Sequence, residues 1–421
     1  MLRSLLFLTG LAAIARADDR PKYVPGRYII QLKPGSDAGA IAAHHEAVRR
    51  LARRDNGALQ AQANPLEKRN PQCKGNFHAY VGNFDDQAIK EIEKLPNVLC
   101  VEPDDQPSTN GTTPNNSTSL ITQQSSSIWN LDDLSHKDGV QGSTSYTYAY
   151  DASAGEGTTA YVFDTGIRST HEEFQGRVRF GINALTSSTD GAADGNNDNT
   201  GHGTHVAGTL GGKTYGVAKK TSLVDVKVFD TGSATMSSIL AGLDWAFKDV
   251  QVQGNLQTAV FSISFGARTS STSLDAAIKA LYEYGILTVV AAGNENKEIG
   301  NTSPARLAES FTVGYTNQQR QRVDSSSGVM GSNYGPELDV WAPGFDIVSA
   351  DYLSDTGSRV ESGTSMATPL VSGLVCYLRA KEGGLGTPKA VTERISALAV
   401  NGVVGDVKDS KNLLVYNGSG Q

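Results

Sequence analysis

The 421-residue chain carries 37 Lys and Arg against 44 Asp and Glu, a formal net charge of −7 with a pI near 5.6. That balance supplies no basic stripe for phosphate contacts, which excludes a nucleic-acid binder. Apolar content of 38% and 45 glycines fit a loop-rich globular protein, too long for one ordinary domain.

Residues 1–17 have the form of a secretory signal: Arg3 gives a positive start, Leu5 to Ile14 are mostly apolar, and Ala15-Arg16-Ala17 offers a small-x-small cleavage site. The apolar core is too short for a membrane span, and no later segment approaches ~18 uninterrupted apolar residues. A soluble, extracellular mature protein is expected, without a membrane partner. Secretion invites disulfides, yet the chain has only 3 cysteines. Cys73 and Cys100 can pair or stay free. Cys376, beside Leu374, Val375 and Leu378, reads as a small buried hydrophobe with no electropositive neighbour to lower its pKa.

From 18 to 105 the pattern is strand, helix, strand, helix, strand. Tyr28–Leu32, Phe77–Val81 and Val98–Val101 read as strands, Ala38–Leu51 as a helix and Asp85–Leu95 as a charged amphipathic helix. The stretch 52–72, with Arg53-Arg54 and Lys68-Arg69, reads as an inserted, solvated loop. Residues 106–127 are rich in Ser, Thr, Asn and Pro, which marks a linker. Glycosylation sequons occur there at Asn110, Asn115 and Asn116, and later at Asn301 and Asn417.

From 128 to 421 the pattern becomes α/β. Apolar strands at 159–163, 222–228, 258–264 and 286–291 alternate with helical patterns at 203–211, 236–250 and 273–284. Such alternation predicts a mostly parallel sheet with helices on both faces, and ligands of such sheets meet the carboxyl ends of the strands. The chemistry-bearing residues fall there. Tyr161-Val162-Phe163 runs into Asp164-Thr165-Gly166, and an acid at the tip of a buried strand costs desolvation unless a donor or cation meets it. Gly201-His202-Gly203-Thr204-His205 opens a helix with glycines that permit close backbone approach. The pair His202 and His205 lacks a third zinc ligand and the intervening Glu of a metalloprotease helix, so zinc is set aside; His205 reads as a structural partner.

Ser362-Gly363-Thr364-Ser365-Met366-Ala367-Thr368-Pro369 precedes a long apolar run. A serine there sits at a helix N-terminus, where free N–H groups and the dipole favour an anion. These are the surroundings an attacking alkoxide needs. The serine does not lie in a Gly-x-Ser-x-Gly elbow, which goes against an α/β-hydrolase esterase.

The blocks at 164–166, 201–205 and 363–369, in that order, resemble the three signatures of the subtilases, most closely the secreted fungal proteinase-K-like branch, over residues 120–421. Residues 18–105 resemble the small α+β, ferredoxin-like propeptide of subtilisin-type zymogens, from Tyr28-Ile29-Ile30-Gln31-Leu32 to Val101-Glu102-Pro103-Asp104. The resemblance implies a serine endopeptidase in which Ser365 is nucleophile, His202 the base and acid, and Asp164 its orienting carboxylate. Asn294 matches the family's oxyanion donor. Gly232, Ser233 and Ala234 on one side and Ser264, Phe265 and Gly266 on the other match the strands that hold an extended substrate. Ala291, Ala292 and Gly293 would line an uncharged, small-walled pocket, implying bulky apolar or aromatic preference before the cut.

The chain departs from near relatives at Val206, where a cysteine is frequent, and at Leu370, where a histidine is usual. Asp194, Asn196 and Asp198 imitate the start of a calcium loop, but Gly is missing at its sixth position and Glu at its twelfth, so the stretch reads as a solvated loop. By resemblance, Asp339 with the carbonyls of Ala308 and Ser310 aligns with a structural calcium site; the chemistry itself needs no cofactor. The expected protein is a monomer acting on protein and peptide substrates, inhibited by its own propeptide and self-cleaved near 116–122. A catalytically silent binding protein on the same scaffold is the alternative.

Overall fold

A computed structural model describes residues 23–33, 36–52, 78–105, 108–109, 128–140, 145–192, 195–231, 233–267, 269–327 and 330–421. The signal, Cys73, the dibasic pairs, Gly232, the sequons at Asn110, Asn115 and Asn116, and the stretch 116–122 lie outside the described residues. Among the described residues, no helix is long and apolar enough to cross a membrane.

The N-terminal unit follows the expected order: β1 (Tyr23–Leu32), α1 (Ala38–Ala52), β2 (His78–Asn83), α2 (Asp86–Ile92) and β3 (Val98–Asp105). The strands form a three-stranded antiparallel sheet with β1 central, between β2 and β3. Ile30, Leu32, Val48, Ile89, Ile92 and Val98 form its core. Asp85 starts α2 by accepting from the N–H groups of Gln87 and Ala88 at 3.0 and 2.7 Å, an ordinary N-cap. Beyond it, β4 (Ser108–Thr109) lies inside the stretch read as linker. Strand pairing uses backbone groups alone, so polar composition did not prevent it.

The large unit starts with α3 (Trp129–Ser135), β5 (Thr159–Asp164), β6 (Val178–Asn183), α4 (His202–Gly211), β7 (Ser222–Lys227) and α5 (Met236–Gln253). Then come β8 (Ala259–Ile263), β9 (Phe265–Gly266), α6 (Thr272–Tyr284), β10 (Leu287–Ala291), β11 (Ser310–Thr316) and β12 (Val340–Pro343). It ends with β13 (Ile347–Ala350), β14 (Ser358–Glu361), α7 (Thr364–Lys381), α8 (Pro388–Leu398), β15 (Val400–Asn401) and β16 (Leu413–Leu414). Among the described residues, nine strands form one sheet in the order β15-β16-β12-β11-β10-β8-β5-β7-β6, parallel except for β15. Both faces are covered, which is why the strands read as unbroken apolar runs. Along β5, Ala160 and Val162 enter a core shared with α4 and α7, while Tyr161 and Phe163 enter one shared with α5 and α6. Helix α7 is buried from Thr364 to Leu378, as its uniformly apolar or small sequence requires. Cys376 lies inside it, and Val206 and Leu370 fill the same core. Chain order reverses around β5, whose neighbours are β7 and β8. A crevice therefore opens at the carboxyl ends of β5 and β8.

Two carboxylates of β3 dock the N-terminal unit. Asp104 is fully buried and accepts from the N–H and hydroxyl of Ser237 at 2.9 and 2.8 Å, at the start of α5; Arg27 pairs with it at 3.1 Å. Glu102 accepts from Thr272 N–H at 2.9 Å and from the Ser271 and Ser273 hydroxyls, at the start of α6. Orphan N–H groups and the dipole make both helix starts receptors for an anion. Replacing Glu102 and Asp104 by Gln and Asn should each cost about 1–2 kcal/mol of docking. That is a weakening of the contact by about fivefold to thirtyfold, read as a lower melting temperature of the N-terminal unit in a thermal melt of the full chain.

Candidate active site

Asp164 ends β5, and His202 opens α4. Gly203 allows the first turn of α4 to press on the strand tip: a Cβ there would lie 2.2 Å from the Gly166 carbonyl oxygen and 3.0 Å from Asp164 Cβ. His202 Nδ1 bonds Asp164 Oδ1 at 2.7 Å, and the same oxygen accepts from Thr165 N–H at 2.8 Å. Both side chains are buried, and His202 Nε2 has no hydrogen-bond partner among the described residues. Burial alone would lower the imidazole's pKa. The charge of Asp164 and its hydrogen bond, followed by the charges of Glu361 and Asp198, outweigh it and raise it. His205, three residues on, is held by Ile347 O at 2.9 Å, and burial pushes it down to about 3. It is neutral and structural, as its sequence suggests.

Ser365 lies in the first turn of α7, after Gly363 at φ 144°. Pro369 lies four residues later and has no N–H, so the carbonyl of Ser365 gains no helical partner. Ser264, just past β8, fills the gap: its hydroxyl donates to Ser365 O at 3.0 Å, and Ser365 Oγ donates to Ser264 O at 2.8 Å. The hydroxyl is thus turned to a carbonyl rather than to the imidazole, because a buried O–H takes the acceptor within reach. Asn294 follows β10, and its Oδ1 accepts from Thr364 N–H at 2.9 Å and Thr364 Oγ1 at 3.0 Å. Fixing the oxygen side of a planar amide turns its NH2 away from Thr364.

Asp198 escaped the sequence reading. It is buried, and it accepts from Thr165 Oγ1 and Gly201 N–H, both at 2.8 Å, and from Thr204 N–H at 2.9 Å and Thr204 Oγ1 at 2.7 Å. The expectation of a solvated loop is corrected at this residue: Asp198 satisfies the start of α4 and ties it to β5. Asp198 lies four residues before His202, outside the N-cap position that the sequence signals of a helix start mark. Asp225 and Lys227 are also buried nearby; burial pushes Asp225 up to about 7, and Lys227 Nζ bonds Thr165 O and Asn199 Oδ1.

Ser264, Phe265 and Gly266 run along the crevice, with the Phe265 ring buried against Phe229 at 4.8 Å. Phe265 and Gly266 are paired antiparallel with Thr109 and Ser108. Ser233 is exposed and closes a tight turn with Asp230, while Ala234 is buried. Ala291, Ala292 and Gly293 are buried beside Asn294. Asp339, Ala308 and Ser310 line a separate pocket of about 260 Å³. There Asp339 Oδ1 bonds Lys411 Nζ at 2.8 Å and Oδ2 accepts from Thr312 N–H at 2.9 Å. Asn301 is exposed. Asn417 is not: its side chain is fully buried and its Nδ2 donates to Ala149 O at 2.8 Å, so a glycan has no surface there, and that expectation is corrected. Cys100 is half-buried beside Gln31, its suggested partner being outside the described residues.

A profile of the Subtilase family matches residues 155–414, and one of Peptidase inhibitor I9 matches residues 27–109. Alkaline protease 1 of Aspergillus clavatus is 42% identical over 426 residues, covering 99% of this chain and 98% of that one. The cuticle-degrading serine protease of Arthrobotrys oligospora is 38% identical over 439 residues, covering 99% and 98%. A crystal structure of a cold adapted subtilisin-like serine proteinase matches with a TM-score of 0.60 at 38% identity, over 70% of this chain and 99% of that one. These relatives are enzymes, which goes against the silent-scaffold alternative. An acid, an imidazole and an alcohol near the carboxyl ends of a parallel sheet's strands, with these matches, lead to one conclusion: the chain belongs to the subtilase family, a subtilisin-type serine protease with an I9-type inhibitor propeptide.

Proposed function

We propose that this protease is a secreted endopeptidase, made as a self-processed zymogen, in which Asp164, His202 and Ser365 act as one relay. The observation that carries the reading is the 2.7 Å bond from His202 Nδ1 to Asp164 Oδ1, which leaves Nε2 as the free basic nitrogen. In this reading the Ser365 hydroxyl leaves the Ser264 carbonyl and bonds that nitrogen. Ser365 Oγ then bonds the substrate carbonyl carbon while Nε2 takes its proton. The tetrahedral oxygen is met by the Asn294 NH2 and by the Ser365 N–H, which has no intrahelical acceptor in the first turn. His202 returns the proton to the leaving amine as the C–N bond breaks. Water, activated by the same nitrogen, releases the acyl group.

Ser365→Ala should abolish both casein turnover and self-processing. Asn294→Ala should cut kcat by about 10²- to 10³-fold, the magnitude found for this donor in a subtilisin relative. A variant with Ser365 removed that still matures when expressed alone would end the reading. The small walls of Ala291, Ala292 and Gly293 favour a bulky apolar or aromatic residue before the cut, which a peptide-library cleavage profile checks.

The pairing of Ser108 with Gly266 and Thr109 with Phe265 supports a product-like tail on the substrate strand. Self-processing is expected in the linker, around 116–122. N-terminal sequencing of the first processed form checks it, and a new terminus outside that stretch rejects the site.

Calcium at Asp339, with the Ala308 and Ser310 carbonyls, remains chemically suitable: one carboxylate and backbone oxygens suit a hard cation. Lys411 already neutralises that carboxylate, so an ion must displace it. Calcium should raise Tm, and Lys411→Ala should enlarge the rise, measured by thermal melts with calcium and with chelator. A Tm indifferent to calcium in both proteins rejects the site.

A further inference from the structure

A second buried carboxylate, Glu361, lies on the hairpin that packs against α4. Strands β13 and β14 form an antiparallel hairpin in which Ile347 pairs with Glu361 and Ser349 with Arg359. Helix α4 lies on this hairpin. His205 bonds Ile347 O at 2.9 Å, and Ser349 Oγ donates to His205 O at 2.8 Å. His202 precedes His205 by three residues and so shares its helix face. The residue opposite Ile347 is therefore brought to that same face, and it is Glu361, only 1% exposed.

Arg359 accompanies it under the start of the helix. Its Nε lies 3.0 Å from Glu361 Oε1, its Nη1 donates to Thr200 O at 3.3 Å and lies 3.8 Å from Asp351 Oδ1. Its guanidinium fills the space a Cβ on Gly201 would need, 2.1 Å from Nη1. The charged groups around the imidazole are Asp164 from β5, Asp198 from the loop before α4, and Glu361 and Arg359 from β14. Asp351 follows β13, Lys227 ends β7, and the neutral His205 lies on α4 itself. Burial pushes the Glu361 carboxyl up to about 7, with His202 and then Arg359 drawing it back. One cation shared among several carboxylates leaves Glu361 only partly compensated, and the imidazolium formed during turnover is its remaining counter-charge.

We propose that Glu361 is a positioning residue for the relay, a second carboxylate that stabilises the imidazolium of His202 when it holds the proton of Ser365. This rests on the Ser365–His202 reading above. Because an anion favours the protonated ring, Glu361 sets the acid limb of activity at a higher pH than Asp164 and Asp198 alone would. It also lowers the barrier on the plateau, where the imidazolium forms only in the transition state.

The test is the pH profile of kcat/KM in the mature enzyme. Glu361→Gln keeps the shape and an acceptor for Arg359. It should move the acid-limb midpoint down by about half to one pH unit and lower the plateau kcat by about threefold to tenfold. Glu361→Asp should restore most of both. An unmoved midpoint and plateau, with only Tm lowered, would make Glu361 a structural partner of Arg359 and overturn the proposal. Failure of both variants to mature would do the same, by making it a folding residue. Phosphonylation of Ser365 by a fluorophosphonate in the wild-type preparation separates the two failures. Wild type left unlabelled rejects the relay itself, whereas labelled enzyme with an unmoved limb rejects only the role of Glu361.

Discussion

The reciprocal bond between Ser264 and Ser365 is the contact on which the site depends. Pro369 removes the N–H that would have occupied the Ser365 carbonyl, and the strand end after β8 supplies a hydroxyl in its place. Helix α7 is thereby registered against the sheet at Ser365. Its buried length, from Thr364 to Leu378, then holds that register by packing against β8, β10, β11 and β12. A helix that is apolar on every face has no solvent side to rotate towards. Precision at Ser365 thus comes from a proline, a serine on another element and a dry helix together.

The same economy governs the N-terminal propeptide. Its β3 ends in a Glu and an Asp two residues apart, on one face of the strand, and each meets the start of a different helix. Helices α5 and α6 lie side by side on one face of the large sheet, so a single strand end reaches both. Chain continuing beyond them reaches β9, the strand beside the nucleophile. Docking and the pairing with β9 therefore share one short segment, and backbone pairing needs no particular side chain.

The crevice also concentrates buried charge. Asp164, Asp198, Asp225, Lys227 and Glu361, with the partly buried Arg359, gather at the carboxyl ends of β5 and β7 or on the hairpin below α4. Helix starts and strand ends leave unpaired backbone groups there, and carboxylates such as Asp198 answer them. The residual imbalance falls on His202, whose imidazole pKa the carboxylates of Asp164, Glu361 and Asp198 raise.

The amino-acid sequence by itself determined the acid, imidazole and alcohol, their order, and the parallel sheet that carries them. Those features are local: a motif sits within a few residues, and a strand covered on both faces advertises itself as an apolar run. Contacts between residues far apart in the chain were decided only by the tertiary structure. Asp198 reads as one more loop acid until the start of α4 folds onto it, and Glu361 is an ordinary strand residue until its hairpin slides under His202. Asn417 carries a complete sequon, yet packing closes over it; Asp339 meets Lys411 across 72 residues of sequence. A carboxylate or an amide has the same letter in solvent and in the core, and only the fold settles which partner removes it from water.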